Sequence, residues 1–206
     1  MGDQFFDFYE PLLEEKKVGE VEFSALDFET TGLYPDSDRI IEVGILRFRL
    51  DAETGSLESF IDPRIPIPLE SSRISGINDS HVAGAPVLEE IIDRILALLE
   101  GTVVLAHNLN FDYGFLSRAV ETTGRKYRME LGIDTVALAK QVYKGRTSYS
   151  LQNLAADLNL PRGTAHRALD DARLCAELFR SCLTGIPGCR EMTAGELFRF
   201  SGTRMK

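Results

Sequence analysis

Two hydrophobic periodicities follow one another along the chain, and their order limits the folds that it can adopt. Residues 21–28 alternate between apolar and polar side chains, which is the pattern of a strand with one face toward a core. The run IIEVGILRFRL at 40–50 predicts a second strand. The turn signal DAETG that follows it predicts that residues 56–62 return as its hairpin partner. The first part of the chain therefore predicts antiparallel strands.

Helical spacing of apolar residues dominates the rest of the chain. It extends over 86–99 and then over about 111–122, 134–142, 150–158 and 166–182. Between the first two of these stretches lies VVLA (103–106), a short apolar run typical of a strand that is buried on both faces. Antiparallel strands followed by an alternation of strand and helix predict an α/β fold with a mixed sheet.

The length and composition fit one globular domain with a sizeable core, or one domain plus appendages. The chain has 206 residues, of which 44% are hydrophobic and 27% are charged. We divide it into an acidic, aromatic N-terminal arm (1–20), a domain (21–183) and a C-terminal extension (184–206). Because the aromatic residues of the arm can pack on the domain or on another subunit, the oligomeric state stays open.

The composition also bears on the compartment. No run of about eighteen apolar residues is present, and the N-terminus is acidic where a secretory signal is basic. We therefore expect a cytoplasmic protein without a membrane partner. The three cysteines, Cys175, Cys182 and Cys189, are an odd number, which argues against a disulfide framework and favours small buried side chains.

Charge is distributed unevenly along the chain. The formal net charge is −9, which argues against a protein that coats nucleic acid electrostatically. Residues 118–146 nevertheless carry seven basic side chains against three acidic ones. A local basic surface is therefore compatible with an acidic protein.

Two carboxylates mark the end of the first predicted strand. Asp27 and Glu29 are two residues apart, so their side chains point to the same face. Like charges held side by side repel one another, and a hard divalent cation such as Mg²⁺ or Mn²⁺ relieves that repulsion. An isolated pair of this kind is more often two exposed acids, so the pair alone does not predict a metal site.

More polar residues follow the buried run VVLA. His107, Asn108 and Asp112 come where that strand ends and a helix must begin, and α/β sheets usually place their sites beyond the ends of strands. Asn108 or Asn110 can serve simply as an N-cap, and His107 can be a hydrogen-bonded histidine at a strand end.

The last polar cluster heads a helix. Asp171 lies on the same helical face as Cys175, Leu178 and Phe179, so a carboxylate that needs a partner is directed toward the core. Asp170 falls on the solvent side. His166 precedes Asp171 by five residues, or about 140° on an ideal helix, so the spacing leaves its role open.

Taken in order, DFETTG (27–32), HNLNFD (107–112) and HRALDD (166–171) resemble the three motifs of the DEDDh 3′–5′ exonucleases. The intervening segments ISGINDSHVAGAP (74–86), DTVALAK (134–140) and SYSLQNLA (148–155) resemble the family's connections. The resemblance covers about residues 21–182. This family includes the epsilon proofreading subunit of bacterial replicative DNA polymerase, RNase T and oligoribonuclease.

The resemblance implies an RNase H-like fold, in which a mixed β-sheet is flanked by helices. It also implies two divalent ions, Mg²⁺ or Mn²⁺, in each active site. The acidic set around them would be Asp27, Glu29, Asp112 and Asp171, with His166 as general base. A histidine suits that role because imidazole ordinarily titrates near neutral pH.

The resemblance also suggests residues that bind substrate. Thr30, Thr31 and Leu33 would meet the terminal nucleotide, the hydroxyls at its 3′ end and the leucine against its base. Phe111 is a candidate for a base or sugar contact, with core packing as the alternative. His107 and Asn108, from the second motif, complete the candidate substrate-binding set.

The function implied is release of nucleoside monophosphates from the 3′ end of single-stranded nucleic acid. DNA is the expected substrate, in proofreading or repair, and RNA trimming is the alternative with the same chemistry. A non-catalytic module that binds nucleic acid or a polymerase is the alternative of another class. Only about two dozen residues follow the last motif helix, and the epsilon subunits carry a long polymerase-binding segment there, so a polymerase partner stays open.

Overall fold

A five-stranded mixed sheet forms the centre of the computed structural model, which describes residues 12–161, 163–164 and 166–204. The strands are β1 (Phe23–Thr30), β2 (Ile40–Arg49), β3 (Ala52–Phe60), β4 (Val103–Ala106) and β5 (Leu131–Asp134). They lie in the order β3-β2-β1-β4-β5. The first three strands are antiparallel neighbours, whereas β4 is parallel to β1 and β5 is parallel to β4. The predicted α/β fold with a mixed sheet is confirmed.

Helices cover both faces of this sheet. They are α1 (Leu69–Ser75), α2 (Asp79–Val82), α3 (Leu88–Leu99), α4 (Leu109–Thr122), α5 (Thr135–Val142), α6 (Leu151–Asp157), α7 (Ala168–Thr184) and α8 (Ala194–Ser201). All five stretches predicted from helical spacing contain a helix. The short helices α1 and α2 and the C-terminal α8 were not predicted.

The strand predictions differ from the structure in two details: one hairpin turn is wrong and one strand was missed. DAETG is not the hairpin turn, because Arg49 already pairs with Ala52 and β3 begins there. The connection is therefore only Leu50 and Asp51. Strand β5 was not predicted, since its four residues include Gly132 and the strand is defined by its parallel pairing with β4.

The alternation of side chains along β1 decides which face carries the acids. Phe23 and Ala25 point into the core beneath α7, together with Phe48 and Phe179. Asp27 and Glu29 continue the same two-residue period, so they lie on the face that α7 covers. The opposite face of the sheet packs against α3 and α4.

Helix α7 begins in direct contact with β2. A Cβ atom added to Gly44 would overlap the backbone of Ala168 and Leu169. Gly44 is the partner of Asp27 in the antiparallel register. The missing side chain therefore lets the first turn of α7 approach the sheet beside the acids.

The two ends of the described chain pair with one another. Lys17 bridges to Thr193, the Val18 amide donates to the Met192 carbonyl at 2.9 Å, and Leu197 of α8 is fully buried. Val18 and Leu197 belong to the same hydrophobic core as β1 and α7. Residues 12–20 thus dock on the C-terminal extension, while the aromatic cluster at 5–9 lies outside the described residues. The division into arm, domain and extension stays a prediction.

Three further features bear on the sequence-based expectations. All three cysteines are free; Cys175 and Cys182 are buried as expected, whereas Cys189 is only partly buried. Among the described residues, no helix is both long enough and apolar enough to cross a bilayer. The segment 118–146 is less basic in effect than its composition suggests. Three of its arginines form ion pairs with acids: Arg118 with Glu121, Arg125 with Asp93, and Arg146 with Asp157.

We expect Gly44→Ala to destabilise the protein by roughly 3 kcal/mol or more, because backbone rather than side-chain atoms would have to move. Urea unfolding followed by circular dichroism measures this loss. Gly55→Ala in β3 is the matched control. Its Cβ would lie 3.1 Å from the end of the flexible Leu98 side chain, so a smaller loss is expected. Equal losses in the two variants would contradict the close approach of α7.

Candidate active site

The acidic residues of the first two motifs meet at the end of β1. Asp112 lies in the first turn of α4, and its Oδ1 accepts a hydrogen bond from the Phe28 amide at 3.0 Å. Phe28 stands between Asp27 and Glu29, so the Asp112 carboxylate lies beside the strand that carries both. Asp112 is buried, and Asp27 and Glu29 are partly exposed. The chain thus brings together carboxylates that are more than eighty residues apart.

Asp171 enters from the first turn of α7, and both of its oxygens are held. Oδ1 accepts from the Gln152 side-chain amide at 2.8 Å, and Oδ2 accepts from the His166 backbone amide at 2.9 Å. Asp171 is buried on the apolar face that the helical period predicted. That prediction is confirmed.

His166 stands outside the helix and reaches the acids. Helix α7 begins at Ala168, and His166 has a left-handed backbone with a φ of +61°. One of its ring nitrogens, a carboxylate oxygen of Glu29 and one of Asp171 all lie within 4.8 Å of one another. The 140° separation expected on an ideal helix therefore does not apply. The side chain itself is exposed.

Burial and mutual repulsion raise the pKa values of the clustered acids. Burial is the largest cause for each of them, and neighbouring carboxylates add to it for Asp27, Glu29 and Asp112. The pKa of Glu29 rises to about 7, that of Asp112 to about 8, and that of Asp27 well above its usual value. The pKa of Asp171 is also raised. Such a set favours protonation or a cation, and hard divalent ions fit its oxygen ligands.

The loop after β1 is fastened by its own hydrogen bonds. The Thr30 hydroxyl donates to the Gly32 carbonyl at 2.6 Å, and the buried Thr31 hydroxyl accepts from the Arg39 amide at 2.9 Å. Leu33 is 71% exposed, although it is a large apolar residue beside the acids in sequence. The two threonine hydroxyls thus have hydrogen-bond partners within the protein. The Leu33 side chain, by contrast, is not packed into the core of the described residues.

The remaining predicted substrate contacts are tied into the protein. Both ring nitrogens of His107 are engaged, with the Thr135 hydroxyl and the Tyr149 carbonyl at 2.9 Å each. Burial lowers the pKa of His107. Phe111 is half-buried, with its ring centroid 5.1 Å from that of Phe115. These contacts favour the hydrogen-bonded histidine and core-packing alternatives, and roles in substrate binding stay predictions.

Two interpretations of the sequence are altered by the structure: Asn108 as a plain N-cap and Asp170 as a solvated charge. Asn108 occupies the N-cap of α4, but with a φ of +82° and no hydrogen bond from its side chain to the helix. Its side chain is exposed. Asp170 is more than a solvated charge, because it accepts a hydrogen bond from the Thr164 amide at 2.7 Å.

Three residues near the acids were missed in the sequence. Gln152 binds Asp171, and nothing in its local pattern indicates this. Glu42 and Arg167 bind each other beneath the first turn of α7. Glu42 could have been found, because it interrupts the apolar run IIEVGIL of a strand that is buried along most of its length.

A mixed sheet in this strand order with helices on both faces is an RNase H-like α/β fold, and the acids gather at the end of its central strand β1. The Exonuclease family model matches residues 24–179. The chain belongs to this family, as a DEDDh-type 3′–5′ exonuclease.

Similar proteins agree with that assignment. The DNA polymerase III subunit epsilon of Treponema pallidum is 39% identical over 79% of this chain and 77% of that protein. The PolC-type DNA polymerase III of Thermotoga maritima is 38% identical over 82% of this chain, which spans only 12% of that polymerase. The structure of exonuclease X with 5′-overhanging duplex DNA matches with a TM-score of 0.68 and 24% identity, over 87% of this chain and 99% of that one. That last likeness shows a shared fold.

In the absence of divalent metal, these acids should make the free energy of unfolding fall as pH rises. Glu29 and Asp112 have ordinary pKa values of 4.5 and 3.8, which rise to about 7 and about 8 in the folded protein. At pH values between the ordinary and the raised pKa values, the folded state therefore binds more protons than the unfolded state does. The resulting stabilisation is complete below the ordinary values and is lost as pH rises through about 8. In EDTA, we expect the unfolding temperature to fall between pH 5 and pH 8.5.

Two comparisons sharpen this measurement. Mg²⁺ or Mn²⁺ at pH 8.5 should recover the lost stability, and Asp27→Asn should show a smaller fall in EDTA because one repelling charge is gone. Acids whose pKa values are lowered by arginine partners, such as Glu22 and Asp93, titrate below this range and do not mask the effect. An unfolding temperature that rises with pH in EDTA would contradict the repulsion.

Proposed function

We propose that this exonuclease releases nucleoside monophosphates from the 3′ end of single-stranded DNA. Asp27, Glu29, Asp112 and Asp171 would hold two divalent ions, Mg²⁺ or Mn²⁺, and His166 would act as general base. The observation that carries this proposal is the convergence of a His166 ring nitrogen with carboxylate oxygens of Glu29 and Asp171 within 4.8 Å. An exposed imidazole beside a repelling set of acids suits a proton acceptor next to a metal site.

The acids, the histidine and the exposed leucine have separate roles in this proposed mechanism. Two divalent ions bound by the acids would activate a water molecule and stabilise the charge on the leaving 3′ oxygen. The Asp171 carboxylate, fixed by Gln152 and by the His166 amide, keeps the histidine backbone in place. The His166 ring then accepts the proton of the attacking water. Leu33 would pack against the terminal base.

DNA is proposed as substrate because the relatives are named as DNA polymerase III components. Association with a replicative DNA polymerase belongs to the same proposal and has the same support. RNA is the alternative with identical chemistry. A direct comparison of substrates separates the two.

An assay on 5′-labelled oligonucleotides tests the mechanism. With Mg²⁺ or Mn²⁺, single-stranded DNA should give a ladder of products shortened from the 3′ end, and EDTA should abolish it. His166→Ala should lower kcat by roughly 100-fold or more, the usual range for loss of a general base. Asp171→Asn should lower it similarly. Asp170→Asn is the matched control, because an amide oxygen can still accept from the Thr164 amide, and it should keep most activity.

The outcomes separate the alternatives. Full activity in Asp171→Asn, or cleavage in EDTA, would overturn the mechanism. A higher kcat/KM on RNA than on DNA of the same sequence would favour the exoribonuclease. Binding of oligonucleotides without turnover in metal would favour the non-catalytic module.

Leu33→Ala tests the contact with the terminal base. Loss of an exposed leucine that packs on a base should raise the KM for DNA about ten-fold or more and leave kcat nearly unchanged. Fully burying a leucine side chain contributes roughly 1.5–3 kcal/mol, and about 1.4 kcal/mol corresponds to ten-fold. Leu12, which is 61% exposed in the N-terminal segment, provides the control variant Leu12→Ala. If the KM for DNA is the same in the wild type and in Leu33→Ala, then Leu33 does not contact the terminal base.

A further inference from the structure

Glu42 is a fully buried carboxylate near the start of β2. It stands opposite Glu29 in the antiparallel register, so both side chains lie on the face toward α7. A buried charge of this kind requires a close partner. Every hydrogen bond described for the Glu42 carboxylate comes from the two residues that follow His166.

Arg167 supplies most of that partnership. Its Nε and Nη2 atoms donate to Glu42 Oε1 at 3.1 and 2.7 Å. Nη2 also reaches Glu58 of β3 at 3.2 Å, and the guanidinium lies 4.8 Å from the centroid of the Phe60 ring. The arginine is therefore held by two strands and an aromatic ring. A planar guanidinium can do this, whereas a lysine ammonium offers a single point charge.

The second Glu42 oxygen binds the start of α7. Oε2 accepts from the Ala168 amide at 3.2 Å, which is the first residue of that helix. Arg167 occupies the N-cap position of α7, but its side chain forms no capping hydrogen bond with the helix. A strand residue thus satisfies a backbone donor at the helix N-terminus that would otherwise lack a partner. The helix start is attached to the sheet at Glu42.

His166 lies between two attachments. Its own amide is bound to Asp171, and the next two residues are bound to Glu42. Its left-handed φ of +61° is a conformation that residues other than glycine adopt infrequently. Such a conformation persists when its surroundings determine it. Glu42 and Arg167 provide those surroundings on the C-terminal side of the histidine.

We infer that Glu42 and Arg167 are positioning residues that hold the His166 imidazole over the acidic cluster. Neither needs to touch substrate for this. The inference rests on the proposed role of His166 as general base. Its specific content is that loss of the Glu42–Arg167 pair slows the chemical step by displacing the histidine.

Arg167→Ala should lower kcat roughly 10- to 100-fold, the effect of misplacing a catalytic group by about 1 Å, with KM changed less than about three-fold. Arg167→Lys should recover part of kcat, and Glu42→Gln should lower it as well. The matched control is Arg173→Ala, which removes another arginine of α7 that pairs with a β3 acid, Glu53 at 3.9 Å. Circular dichroism confirms that each variant is folded.

A readout without activity uses the three histidines of the chain. In a ¹H–¹³C spectrum of the imidazole groups, His166 is assigned by its loss in His166→Ala. Its resonance should shift or broaden in Arg167→Ala and Glu42→Gln, while that of His107 stays in place. An unchanged His166 resonance in both variants would overturn the inference.

Kinetic coupling distinguishes this inference from the proposed function. If the pair acts through His166, then adding Arg167→Ala to His166→Ala should lower the residual rate less than two-fold. A raised KM with unchanged kcat in Arg167→Ala would instead make the arginine a substrate contact and overturn the positioning role. Full activity in His166→Ala would refute the general base itself, whatever Arg167 does.

Discussion

Mutual repulsion among carboxylates at the end of β1 is the constraint around which this site is built. The acids come from three elements, and burial makes their like charges costly. Two of the four acids are secured by neutral donors: the Phe28 amide holds Asp112, and Gln152 and the His166 amide hold Asp171. Donors of this kind fix geometry and leave the negative charge uncompensated, which suits the proposed binding of divalent cations.

The close approach of α7 to β2 makes that arrangement reachable. Without a side chain at Gly44, the helix start sits against the strand opposite Asp27. Glu42, two residues along, then binds the helix start and Arg167. A buried ion pair of this sort is weak evidence for stability, since desolvation opposes the attraction. Its value in the proposed mechanism is geometric, because it directs the neighbouring His166.

Features that depend on residues close together in the sequence were predicted, whereas features that depend on distant residues were not. The two-residue period placed Asp27 and Glu29 on one face, and the helical period placed Asp171 toward the core, because both patterns are local. Strand β5 escaped because it is short and defined by pairing with β4. The helical angle misled for His166, since the residue lies before the helix rather than on it.

The sequence by itself determined the α/β class, the faces of the acids and, through three motifs in order, the exonuclease family. Backbone periodicity and residue chemistry suffice for these. Tertiary structure alone decided that Gln152 binds Asp171, that Glu42 attaches the start of α7, and that His107 has both ring nitrogens engaged. Such contacts join residues far apart in the chain, and they depend on how helices lie on the sheet, which no local pattern encodes.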